Sequence, residues 1–260
     1  MIIAIDIGNT NMKIGLFEGD KLKYSWRIST DVSRTGDEHG SIIKQLMFTE
    51  HIDLSQLEGG IISSVIPQLN YTVTHMLEYY FNVNPLVVGT GIKTGLNIKY
   101  ENPKELGSDR IINCVAASKK YKPPYILIDF GTATTFNVVN DKNEFLGGCI
   151  TIGIRTGIKS LASSAARLPE VELSRPAVAL ANSTSKAIQS GVIYGMEGQV
   201  EYLVKKLREE AHLPDCKVIA TGGLSQLLSF DNQKFFDVVD RGLSLEGLNI
   251  IYNLNRQQRQ

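Results

Sequence analysis

Cysteine is scarce in this 260-residue chain. Cys114, Cys149 and Cys216 are far apart and include no CxxC pair, so neither a disulfide framework nor a thiolate zinc site is indicated, and all three read as reduced thiols. Histidine is nearly as sparse: His39, His51, His75 and His212 form no HxxxH pair, which excludes a helical two-histidine metal site. Long apolar runs are missing. None exceeds five residues (1–5 and 177–181), against the roughly 20 that a membrane span needs, so no membrane association is expected. The first residues read as a strand and not as a basic segment leading into a secretory core, so a cytoplasmic setting is expected. Neither charge is in excess, with 27 Lys+Arg against 27 Asp+Glu. The densest basic cluster, Lys205-Lys206-Leu207-Arg208, runs straight into Glu209-Glu210. A nucleic-acid partner would call for a basic face, and none is expected.

The common signatures of nucleotide and hydrolase chemistry are absent as well. No GxxxxGK[ST] loop occurs, and Gly89-Thr90-Gly91 is followed by Gly95, off the dinucleotide spacing. GxSxG and HExxH do not appear either.

What is present is an ordinary globular composition, 43% hydrophobic and 21% charged, long enough for one large domain or two of about 130 residues. Residues 1–6 read as an apolar strand ending on Asp6. Met12, Ile14 and Leu16 alternate with Lys13 and Gly15, and Leu22, Tyr24 and Trp26 alternate likewise, the period of half-buried strands. Helices are expected over 37–51, 71–81 and 110–121, with strands over 60–66 and 85–88. After Pro123-Pro124 the pattern restarts, with a strand over 125–129 ending on Asp129, a turn at Phe130-Gly131-Thr132 and a second strand over 135–139. Ile5-Asp6-Ile7-Gly8 matches Ile128-Asp129-Phe130-Gly131, 123 residues apart, an internal duplication at about one domain length. A long helix over 183–212, a strand over 217–221 leading into Gly222-Gly223, and a helix over 245–254 complete an α/β pattern.

The two Asp-x-Gly turns carry the chemistry. A tight turn between strands exposes successive backbone N–H groups, and glycine lets a polyanion approach. Asn9, Thr10, Thr132, Thr134 and Thr135 add neutral donors, and Lys13 adds a point charge. Asp6 and Asp129, each ending an apolar strand, are hard oxygen ligands suited to a phosphate-bound cation. Taken singly, either turn can be a plain hairpin in which Asp and Asn serve turn geometry. The pair in a repeat favours nucleotide binding.

Six blocks, DIGNTNMK (6–13), GSDR (107–110), DFGTATT (129–135), GGCITIG (147–153), TSKAIQSG (184–191) and TGGL (221–224), resemble type III pantothenate kinases of the sugar-kinase, heat-shock-chaperone and actin superfamily, over the chain from residue 1 to about 250. The resemblance implies two duplicated ribonuclease-H-like, actin-like α/β domains with mixed sheets flanked by helices and an ATP cleft between them. The first, 1–122, would hold the first phosphate loop and the pantothenate segment. The second, 123–260, would hold the second phosphate loop, a long dimer helix and the C-terminal helix. It implies ATP-dependent phosphorylation of pantothenate to 4′-phosphopantothenate, opening coenzyme A biosynthesis, in a cytoplasmic homodimer.

By the same resemblance Asp6, Ile7, Gly8, Asn9, Thr10, Asn11, Met12 and Lys13 form the ATP phosphate segment, and Thr132 is a further ATP contact. Gly107, Ser108, Asp109 and Arg110 bind pantothenate, with Asp109 as general base. Tyr100 and Thr184 also contact that substrate, Thr184 in the neighbouring subunit. Asp129 takes a monovalent cation, K⁺ or NH₄⁺, and Asp6 serves Mg²⁺. Three positions depart from the family pattern: Ser108 stands in place of alanine, Ile152 in place of proline, and Arg241-Gly242 where a tryptophan is common.

Local sequence alone allows plainer roles. Asp109, expected on a loop, can simply cap the following helix, Arg110 can be a solvated helix-start arginine, Tyr100 a strand aromatic and Thr184 an N-cap. Two other functions fit the superfamily: a sugar kinase, or a non-catalytic ATP-binding accessory protein of transcription. A hydrolase of the superfamily would want a glutamate near the second turn, and none lies between Asp129 and Lys142.

Overall fold

The computed structural model describes residues 1–228 and 235–256. The chain divides into two compact units, one made of Met1–Leu96, Glu101–Lys120 and the chain from Gly242, the other of Asn97–Tyr100 and Tyr121–Arg241. Each is a mixed sheet with helices, and six α-helices occur among the described residues. No helix among them is long and apolar enough to cross a membrane.

In the first unit β1 (Ile2–Ile7), β2 (Asn11–Glu18) and β3 (Lys21–Ser29) form an antiparallel meander, and β4 (Gly59–Ser64) and β5 (Leu86–Val87) extend the sheet from β1 in parallel, in the order β3-β2-β1-β4-β5. Period-two alternation sends Ile3, Ile5, Ile7, Met12, Ile14 and Leu16 to one face. There they meet Ile43 and Met47 of α1 (Gly36–Thr49) and Leu69, Val73 and Met76 of α2 (Pro67–Phe81). Thr35 opens α1 with a capping box to Glu38. Pro67 stands at the first position of α2, where its fixed φ starts the helix four residues earlier than the periodicity of Tyr71–Phe81 implies.

The opposite face, which carries Ala4, Asp6, Lys13, Gly15 and Ser63, is covered by α6 (Leu243–Asn255). Small residues let that helix come close. A Cβ at Gly15 would lie 3.1 Å from Leu245, and one at Gly59 would collide with the Tyr252 ring. Gly247 in turn lies against the Ile112 carbonyl of α3 (Ser108–Tyr121), leaving no room for a side chain. Asn249 Nδ2 donates to the Gly19 carbonyl at 3.0 Å, and Lys120 Nζ pairs with Glu246 at 2.7 Å.

The second unit repeats the arrangement. Its sheet joins β6 (Asn97–Ile98), β7 (Tyr125–Phe130), β8 (Ala133–Val139), β9 (Glu144–Ile152), β10 (Lys217–Thr221) and β11 (Val238–Val239) in the order β11-β10-β7-β8-β9-β6. Ile126, Ile128, Phe130, Phe136 and Val138 pack on Ile154 of α4 (Ile154–Ser164) and on Ile193, Met196, Val200 and Val204 of α5 (Thr184–Glu210). Residues 147–153 are mostly strand: β9 pairs Cys149 with Phe136 and Ile152 with Ala133. Gly147 and Gly148 have φ of 131° and 152°, which lets the strand turn through a register shift against β8.

Candidate functional site

The duplication seen in the sequence is a duplication of strands. β1 and β7 are both six residues long, 123 positions apart, and each pairs antiparallel with the next strand and parallel with a later one. The turns that follow differ by one residue. Gly8 N–H donates to the Asn11 carbonyl, whereas Gly131 N–H donates to the Ala133 carbonyl. Across from Asp6 therefore stands Lys13, and across from Asp129 stands Thr135. The parallel neighbours are Ser63 beside Asp6 and Thr221 beside Asp129.

In the first unit these pairings build a polar cluster at the end of an apolar face. Asp6 is 7% exposed, and its Oδ2 lies 3.6 Å from Lys13 Nζ. Lys13 Nζ also donates to Ser244 Oγ, in the first turn of α6, at 2.9 Å. Ser63 Oγ donates to Ser108 Oγ at 2.9 Å, and Ser108 Oγ to the Ser64 carbonyl at 3.1 Å. Asp109 follows in the first turn of α3, so the expected loop placement is corrected: the helix starts at Ser108, with Arg110 and Ile111 N–H both bonded to the Gly107 carbonyl. Asp109 Oδ1 accepts the Arg110 N–H at 2.9 Å and packs so tightly on Gly107 that a Cβ there would force the carboxylate to move. Burial raises the Asp109 pKa above the ordinary aspartate value, and the Asp6 charge adds to the rise; the Arg110 amide and the Arg110 charge oppose it.

The turn 8–10 is held from behind. Thr30 N–H donates to the Thr10 carbonyl at 3.0 Å and Thr30 Oγ1 to the Gly8 carbonyl at 2.7 Å. Asn9 and Thr10 are exposed and Asn11 is half-buried, while Ile7 and Met12 are fully buried with their side chains in the core. Arg110 is buried.

In the second unit Thr132 is exposed on the shorter turn, and its carbonyl accepts the Thr156 hydroxyl at 2.6 Å. Gly153 approaches the Gly131 and Thr132 carbonyls so closely that a Cβ would overlap them. Gly222, with φ of 92°, places its Cα against Asp129 Oδ1 and the Phe130 carbonyl. Gly223, by contrast, faces open space. Tyr100 stacks edge-on to Phe145, with centroids 5.9 Å apart, and lies beside Gly147. Thr184 opens α5 with its side chain exposed; Ser183 is the N-cap residue and makes no side-chain capping bond.

The structure thus gathers Asp6, Lys13, Ser108 and Asp109 at one end of one sheet, and sets Thr132 and Asp129 on the repeated turn of the other. Ser63, Thr30 and Ser244 belong to these clusters without having been singled out in the sequence. Ser63 had a local sign, since it ends an apolar strand as Asp6 does; Ser244 had none, lying 231 residues from its partner.

The model of the type III pantothenate kinase family matches residues 2–206. The chain belongs to that family. Among solved structures it is similar to a Campylobacter jejuni protein that carries the name of a Baf family transcriptional activator, with TM-score 0.60, 21% identity and coverage of 98% of this chain and 99% of that one. It is also similar to a Sinorhizobium meliloti protein named for 2-dehydro-3-deoxygalactonokinase, with TM-score 0.62, 11% identity and coverage of 98% and 99%. The ethanolamine utilization protein EutJ of Carboxydothermus hydrogenoformans aligns with TM-score 0.58, 14% identity and coverage of 96% and 89%. These likenesses establish the fold, that of the sugar kinases and actin-like ATPases. Membership of a kinase family makes the chain an ATP-using phosphotransferase.

Proposed function

We propose that this chain transfers the γ-phosphoryl group of ATP to the primary hydroxyl of pantothenate, giving 4′-phosphopantothenate, the entry to coenzyme A. The observation that carries this reading is Asp109. It is a carboxylate fixed in the first turn of a helix, less acidic than usual because it is buried, and held beside Asp6 through the Ser108–Ser63 bond. Phosphoryl transfer asks mainly for positioning and charge neutralisation, plus one base for the acceptor hydroxyl. The Arg110 amide takes Asp109 Oδ1, leaving Oδ2 to accept the hydroxyl proton. A base whose pKa is raised toward the working pH is a stronger one when ionised. The family match supports pantothenate as the acceptor.

Lys13 supplies positive charge to the phosphate chain, and the turn 9–11 supplies backbone donors, held outward because Thr30 engages the Gly8 and Thr10 carbonyls from behind. Thr132 adds a donor to the nucleotide. Gly107, Ser108, Arg110, Tyr100 and Thr184 bind pantothenate; the buried Arg110 guanidinium suits its carboxylate.

No group of three or more Asp, Glu, His or Cys that could hold a metal occurs among the described residues. The donors fit a Mg²⁺ that arrives on the phosphates and takes one carboxylate, that of Asp6. Such an ion neutralises charge on the transferring phosphoryl group. Asp129 Oδ1 and the Phe130 carbonyl oxygen both lie against Gly222, a hard-oxygen pair suited to K⁺ or NH₄⁺. A homodimer fits the exposed stripe of Ala187, Gly191, Gly195 and Gly198 on α5, where a second helix can approach closely, with Leu180 and Val178 exposed nearby in the chain.

The test is ADP release by the purified chain with pantothenate or a panel of sugars, with and without K⁺. Turnover on pantothenate that requires K⁺ is expected. Turnover on a sugar alone would sink the assignment, and turnover indifferent to K⁺ would remove the role of Asp129.

A further inference from the structure

A lysine ammonium has three N–H donors and no acceptor. At Lys13 one donor goes to Ser244 Oγ at 2.9 Å and a second direction is taken by Asp6 Oδ2 at 3.6 Å. The hydrogen bond to Ser244 and the ion pair with Asp6 together restrict where the ammonium points. The Lys13 side chain keeps 32% exposure, while Ser244 itself is 3% exposed. The partner is also in an unusual place. Ser244 lies in the first turn of α6, where the helix field opposes a cation, and only the hydroxyl oxygen makes this spot an acceptor.

The helix that carries Ser244 is pinned in position. Leu245 lies against Gly15 on β2, Asn249 holds the Gly19 carbonyl, and Glu246 pairs with Lys120 of α3. An unanchored lysine would have to give up rotamer entropy to meet a phosphate. Anchored from the helix side, it meets the ligand already aimed.

We propose that Ser244 is a positioning residue that aims the Lys13 ammonium at the phosphate chain of the nucleotide. This rests on the reading of the site as that of an ATP-dependent kinase.

The test uses the full chain and the magnesium complex of a non-hydrolysable ATP analogue, titrated calorimetrically into the parent, Ser244→Ala, Ser244→Thr, Lys13→Ala and the Lys13→Ala/Ser244→Ala double variant, each with a thermal melt. Ser244→Ala is expected to weaken the analogue about tenfold, the size of one hydrogen bond to a charged group. Ser244→Thr keeps the acceptor and regains most of that affinity. In the Lys13→Ala background, Ser244→Ala changes nothing further. An equal loss in both backgrounds would show a merely structural serine and overturn the proposal. So would parent-like affinity in Ser244→Ala, or a Ser244→Thr that binds no better than Ser244→Ala. A wrong functional reading has a different signature, a parent chain that does not bind the analogue, and that result removes the proposal together with the reading.

Discussion

Ser63 Oγ donates to Ser108 Oγ at 2.9 Å, joining the C-terminal end of β4 to the first residue of α3. Through Ser108, which also donates to the Ser64 carbonyl, the start of α3 is fixed to the strand that runs beside β1, and Asp109 is placed near Asp6. Because Ser63 is fully buried, Ser108→Ala leaves its hydroxyl without this acceptor and is expected to lower stability by about 1–2 kcal/mol. Removing both hydroxyls in Ser63→Ala/Ser108→Ala recovers part of that loss, since no buried donor is orphaned. Chemical denaturation of the three variants checks the order; a double variant no more stable than Ser108→Ala contradicts it.

Gly107→Ala tests the placement of the Asp109 carboxylate. The new methyl would meet Asp109 Oδ1, the end of a side chain that can rotate, and no other atom closely. Stability should therefore fall by only about 1 kcal/mol, the scale of one lost hydrogen bond. The carboxylate, however, must leave its bond to the Arg110 amide. The kcat is expected to fall at least about tenfold, the scale of losing a positioned base. Steady-state kinetics beside a thermal melt separate the two readouts, and a fully active variant would mean that Asp109 is not the base.

Gly222→Ala should behave in the opposite way. Here the methyl meets the Phe130 backbone carbonyl as well as Asp129, and φ is 92°, a value that side-chain-bearing residues rarely adopt. Backbone cannot step aside as a side chain can. The variant is expected to lose at least about 2 kcal/mol of stability. Urea denaturation is the measurement, and parent-like stability would show that the turn after β10 adjusts freely.

The contrast between these positions marks what could be read in the sequence. The repeated strand–Asp–x–Gly pattern was legible because strand period and turn residues are local, and β1 and β7 keep the expected offset residue for residue. Four features were not legible. The second turn is one residue shorter, so Thr135, not a lysine, faces Asp129, and only the pairing register reveals it. The strand β9 runs through Gly147-Gly148, which no local pattern marks, because its partner β8 tolerates a register shift there. Gly107-Ser108 reads as loop although Ser108 starts the helix through its bond network. Finally, α6 follows the second unit in the chain yet packs on β1 and β2 of the first. Ala4, Gly15 and Gly59 make room for it, and nothing local to residues 243–255 announces that partner.

The raised pKa of Asp109 gives a signed prediction for both activity and stability. Burial is its main cause, and the neighbouring Asp6 adds to it. As a base Asp109 must be ionised, so kcat/KM should fall as pH drops through a pKa lying above the ordinary aspartate value of 3.8. For stability the sign runs the other way. The folded chain holds this proton more tightly than the unfolded chain, so the group's stabilising contribution is fully present below 3.8 and is lost as pH rises through the folded pKa. Asp109→Asn carries no such proton. It should be more stable than the parent at neutral pH, with the advantage shrinking toward zero in acid, while its activity is lost at every pH. Parallel urea titrations of parent and variant from acid to neutral pH measure the gap. A gap that stays constant with pH, or that widens in acid, would show that the Asp109 carboxylate is not held in a buried, charge-opposing setting.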